Sequence, residues 1–109
     1  MNERDQNEFM ALTYTEGLQI AERHIRERIS ASDFLSRHQF GETGLQSENE
    51  RFWTFVCGSD QLFDEGYVPG AVYACVDKVD GRLWNDDEIE QFYLQKAAAR
   101  QSQPVTVAA

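Results

Sequence analysis

Apolar positions along the chain follow two regimes, a helical spacing toward each end and alternation in between. Leu18, Ala21, Ile25 and Ile29 recur at three- and four-residue intervals, a spacing that puts them on one face of a helix. Thr13 followed by Glu16 has capping-box spacing just upstream. The first element is therefore an amphipathic helix over roughly Tyr14 to Ser30. Its other face carries Glu22, Arg23, Arg26, Glu27 and Arg28, with Glu22 and Arg26 four apart in the favourable order. Those charges read as a solvated helix surface.

Ser30 to Asp33 break the pattern, and Phe34 to Phe40 has aromatic ends around a polar middle before Gly41 and Gly44 bracket a turn. This predicts an edge strand. From Arg51 to Cys57 the residues alternate as a strand requires, and both faces are largely apolar, as expected of a central strand. The connection GSDQLFDEGYVPG, Gly58 to Gly70, reads as a loop folded down by the pair Leu62 and Phe63 with its acids outside. Ala71 to Asp77 is a second strand, and Asp80-Gly81 turns the chain into the short segment Arg82 to Trp84. Trp53, Phe55, Cys57, Tyr73 and Cys75 are expected to form the sheet core.

Asn85 and Glu88 repeat the capping-box spacing, and Asp86, Asp87 and Glu88 place carboxylates at the positive end of a second helix. Ile89, Phe92, Tyr93 and Lys96 form its stripe, and Ala97 to Ala99 extend it toward Gln101. Together these elements predict an α+β fold: an N-terminal helix packed on a three- to four-stranded antiparallel meander, followed by a C-terminal helix. An arrangement with both helices on one sheet face is the other candidate. Residues 1–12 read as a flexible arm, 13–100 as a single domain and 101–109 as a polar, proline-broken tail.

At 109 residues the chain suits one domain and one core. Ten basic against nineteen acidic side chains give a formal charge of −9. Such a field repels nucleic acid and anionic membranes and draws basic partners, although solubility alone also accounts for an acidic chain. No apolar h-region or membrane-length apolar run occurs, so a cytoplasmic protein is expected. Cys57 and Cys75 lack the close spacing of a zinc knuckle. They read as reduced, small core residues, with a bridge between neighbouring strands as the alternative.

Little chemistry survives a comparison with simpler explanations. His24 and His38 have no neighbouring carboxylate at an orienting spacing. Cys57 lies in an apolar strand, where burial blunts a thiol. Asp77 to Gly81 places acids before a glycine but lacks the alternating ligands and the final glutamate of an EF-hand. No catalytic, cofactor-binding or metal-ligating set emerges. What stands out is acids interleaved with aromatics: Asp60, Phe63, Asp64, Glu65 and Tyr67 in the long connection, with Asp86, Asp87 and Glu90 at the helix start. This composition suits docking onto a basic protein, with charges speeding encounter and aromatics anchoring the contact.

The Trp53-centred strand with its W-x-F, the loop ending at Gly66 and the run AVYACVDKVDGRLW from Ala71 to Trp84 resemble the YrhB-like immunity protein family of bacterial polymorphic toxin systems. The likeness spans roughly Leu18 to Tyr93. It implies a non-enzymatic cytoplasmic antidote, without cofactor, that binds and neutralises a cognate protein toxin; the charge adds the expectation of a basic surface on that toxin and of no direct nucleic-acid or membrane contact. It transfers no interface residue; those named above come from charge and expected exposure. Two other classes are compatible with the residues. One is a phage-type acidic inhibitor that mimics nucleic acid. The other is a small ligand-binding domain on a cystatin- or NTF2-like curved sheet, which requires a pocket not filled by Trp53, Phe55, Tyr73 and the first helix.

Overall fold

The computed structural model describes residues 12–102. Helix α1 runs from Tyr14 to Ala31, and both halves of its capping box form. The Thr13 hydroxyl accepts the Glu16 amide at 3.1 Å, and the Glu16 carboxylate accepts the Thr13 amide at 2.9 Å. A 3-10 turn, Leu35–Arg37, leads to strand β1, Thr43–Glu48, and then to β2, Phe52–Gly58. A short helix α2, Asp60–Asp64, precedes β3, Ala71–Asp77, β4, Leu83–Trp84, and helix α3, Asp86–Ser102. The four strands pair antiparallel in the order β1-β2-β3-β4. The fold is thus α+β, with a helix on either side of a meander in the sequence.

One face of the sheet carries Trp53, Phe55 and Cys57 opposite Val76, Ala74 and Val72. All six are buried and pack beneath Ala21 and Ile25 of α1. Gly17 lets the helix come this close, because a Cβ there would lie 2.5 Å from the Trp53 ring. Tyr73 and Cys75 depart from expectation. They oppose Val56 and Thr54 on the other face and are half-buried, because strand parity sends every second residue of β3 away from α1. Cys57 and Cys75 are both free thiols. Cys75 faces Thr54, three positions from Cys57, a separation of about 10 Å that no disulfide spans.

The opposite face is covered at one end only. Phe92 of α3 meets Phe52 at 5.4 Å and Trp84 at 5.7 Å between ring centroids, and Phe52 meets Trp84 at 4.6 Å. The two helices therefore do not share a sheet face. Beyond this aromatic knot α3 is exposed, with Tyr93 and Leu94 about half open to solvent.

The edge strand lies later than the aromatic pattern predicts. Phe34 to Phe40 forms the 3-10 turn and its flanks, while β1 is the polar TGLQSE and contains Gly44. Phe34 is engaged locally, 4.7 Å from the His38 ring and 5.1 Å from the Tyr67 ring. Strand β1 needs no apolar pattern because it is held by pairing to β2 on one side alone. Its register shifts between Leu45 and Ser47, leaving Gln46 as a bulge.

At the N-terminal boundary, the Leu12 amide bonds the Lys78 carbonyl and its side chain packs against the core. Residue 12 therefore belongs to the fold. The rest of the expected arm and tail, 1–11 and 103–109, lies outside the described residues.

Candidate interaction surface

The connection from Gly58 to Gly70 is a structured platform rather than a plain loop. Ser59, buried, caps α2 by accepting the Leu62 amide at 3.2 Å. Its own amide bonds the Gly70 carbonyl at 2.9 Å and closes the base. Gly66 and Gly70 take positive φ, 93° and 67°, and turn the chain back. Leu62 and Phe63 do not fold down together. Consecutive helical residues point about 100° apart, so Leu62 is buried while Phe63 is 66% exposed.

Three contacts fix this platform to the α1–β1 connection. Gln61 accepts the Gln39 amide at 3.1 Å, Tyr67 packs on Phe34, and His38 bridges both segments. His38 Nδ1 lies 2.8 Å from the Phe34 carbonyl and Nε2 lies 2.9 Å from Glu65 Oε1. The carbonyl and an ionised Glu65 carboxylate are both acceptors, so this geometry favours the doubly protonated imidazole. The hydrogen bond to Glu65, then that to the Phe34 carbonyl, raises the His38 pKa above its ordinary value. Its side chain is only 7% exposed, so the imidazole lies under the platform while the Glu65 carboxylate it holds stays on the surface.

Among the sequence-predicted residues, Asp60, Phe63, Asp64, Glu65 and Tyr67 come together here and all are exposed. Val68, 87% exposed, adds an apolar side chain beside them. The second group, Asp86, Asp87 and Glu90, is also exposed but sits at the start of α3. The Asn85 side chain caps that helix by accepting the Glu88 amide at 2.8 Å, and Glu88 returns the bond at 3.1 Å. No hydrogen bond, ion pair or ring contact among the described residues joins the two groups.

A further ordered acid escapes sequence reading. Asp77 is buried at the end of β3; Oδ1 accepts the Val79 and Asp80 amides at 2.8 and 3.2 Å, and Oδ2 accepts the Trp84 indole at 2.9 Å. Burial opposes its ionisation. The Trp84 bond, the two amides and Arg82 outweigh that and hold its pKa below the usual carboxylate value. Both oxygens are thus committed, Oδ1 to the Asp77–Gly81 turn, where Gly81 has φ 75°, and Oδ2 to Trp84 of β4. The missed His38–Glu65 pair spans 27 residues, a distance at which no local spacing signals contact. The Ser59 cap did carry a signal, a serine directly before a short acidic and apolar run.

Among the described residues no group of three or more His, Cys, Asp or Glu side chains could hold a metal ion, and no helix is long and apolar enough to cross a membrane. Trp53 and Phe55 fill the space under α1, while Tyr73 lies on the far side. Comparisons with protein-family models, curated proteins and solved structures find no match to this chain.

Proposed function

We propose that this protein is a non-enzymatic binding module of the immunity type, which neutralises a basic protein toxin by direct contact through the platform Asp60 to Tyr67. The observation that carries this reading is the combination of exposed Phe63, Tyr67 and Val68 with Asp60, Asp64 and Glu65 on a segment already held in shape. Apolar anchors ringed by charge suit a hot spot, and a preorganised segment loses little entropy on docking. The formal charge of −9 favours rapid encounter with a basic surface. The toxin as partner comes from the likeness of the Trp53-centred strand, the loop ending at Gly66 and AVYACVDKVDGRLW to the YrhB-like immunity proteins.

The test is co-expression with the product of the neighbouring gene. The expected outcome is a stable co-purifying pair and rescue of growth from that product's toxicity. A neighbour that is neither toxic nor bound overturns the reading.

A further inference from the structure

The rim of the sheet beside α1 offers a second surface of a different kind. Strand β1 is the edge of the sheet, so its outer side pairs with no strand among the described residues. Directly beside it a groove of about 540 Å³ runs between α1 and the start of β1. Leu18, Ile29 and Phe40, all half-buried, line it, with the core residues Ile25 and Cys57 beneath them. Its neighbour, a cleft of about 340 Å³, shares Phe40 and Gly41 with it and ends at Asp60 and Gln61. The two cavities abut at Phe40 and Gly41, the first beside the start of β1 and the second toward the end of β2.

We propose that the groove between α1 and the start of β1 takes an extended segment of a basic partner protein, which adds to Thr43–Leu45 as a fifth strand. A strand laid there offers main-chain groups to the free edge while every second side chain drops beneath α1 onto Leu18, Ile29 and Phe40. The bulge at Gln46 ends the regular edge and confines the addition to the stretch next to the groove. Charge selects the occupant. Glu22, Glu42 and Asp60 lie along the two cavities, and the one cation lining them among the described residues, Arg26, lies 3.9 Å from the Glu22 carboxylate. The segment therefore has apolar residues at alternate positions and Lys or Arg between or beside them. A second copy of this chain is the poorer fit, because two molecules of charge −9 repel.

This inference rests on the binding reading above only for the basic character of the partner. The probe is a capped ten-residue peptide alternating valine and lysine, compared with the same peptide N-methylated at alternate residues, both titrated onto the full chain. Strand addition predicts that N-methylation weakens binding on the order of tenfold or more, since main-chain donors are removed. It also predicts that hydrogen exchange at the amides of 42–45 slows on peptide binding. Equal affinity of the two peptides, protection confined to other residues, or no binding at about 1 mM peptide overturns it. A peptide-free dimer that protects the same amides also overturns it, since the edge is then a self-interface. Toxin capture that persists while peptide binding fails removes this inference alone; the reverse result removes the platform reading alone.

Discussion

Helices α1 and α3 are nearly equal in length, 18 and 17 residues, and both begin with a working capping box. Their attachment differs completely. Gly17, Ala21 and Ile25 seat α1 against the sheet along two turns, whereas α3 touches it through Phe92 and the aromatic knot with Phe52 and Trp84. A cap specifies where a helix starts; only a continuous apolar stripe, with small residues at the contact, fixes it to a sheet. Tyr93 shares a stripe with Phe92 in the sequence reading yet stays half exposed, because consecutive helical residues point about 100° apart and it reaches Phe52 only edge-on, at 6.3 Å between ring centroids.

The sharpest way to break this contrast is to remove one aromatic from each contact. Phe55→Ala opens a cavity under α1 and is expected to cost about 3–5 kcal/mol, lowering the denaturation midpoint of the whole domain. Phe92→Ala is expected to cost about 3 kcal/mol, with a different signature: amides of α3 exchange faster while those of β2 and β3 keep their protection. Global unfolding in both variants refutes the difference in attachment. Next in size is Gly17→Ala. The substitution improves helix propensity by about 1 kcal/mol, but its methyl meets the Trp53 ring at 2.5 Å. Overpacking costs about 1–3 kcal/mol, so a net loss in thermal stability is expected. A rise in melting temperature shows that Trp53 yields and that the close approach is not tight.

The smallest effect is the pH response of the His38 clasp. The folded state raises the His38 pKa above 6.5, so the clasp contributes fully below that value and is lost as pH rises through the folded pKa. Amide resonances of Glu65 to Tyr67 are expected to broaden or shift over that interval, and His38→Gln abolishes the response. A titration that leaves these amides unmoved shows that the platform does not depend on the cationic ring.

Much of the architecture was legible because it is local. Thr13 with Glu16 and Asn85 with Glu88 announce both long helices, and alternation from Phe52 to Cys57 and from Ala71 to Asp77 announces the paired strands. Strand β1 was not legible, since an edge strand exposed on most of its length carries no apolar period. The aromatic ends of Phe34 to Phe40 suggested a strand there, but they serve a tertiary contact with His38 and Tyr67 that no spacing reveals. The face of Tyr73 was misread for a related reason. Both sides of β3 carry apolar residues, and only the pairing Phe55↔Ala74 and Trp53↔Val76 decides which side meets α1. The acidic and aromatic composition of the platform could be read directly, whereas its rigidity depends on Ser59, Gly70 and His38 acting across the fold.

The central functional claim concerns Asp64 more cleanly than Glu65, because Glu65 also holds His38 while Asp64 is simply exposed beside Phe63. Stopped-flow association of the co-purifying toxin with the native chain and with Asp64→Lys, at low and high salt, isolates the platform's electrostatic contribution. The account predicts a several-fold slower association for the variant at low salt and a shallower salt dependence, with the fold unchanged by circular dichroism. Equal rates and equal salt slopes for the two proteins contradict it and place the interface elsewhere.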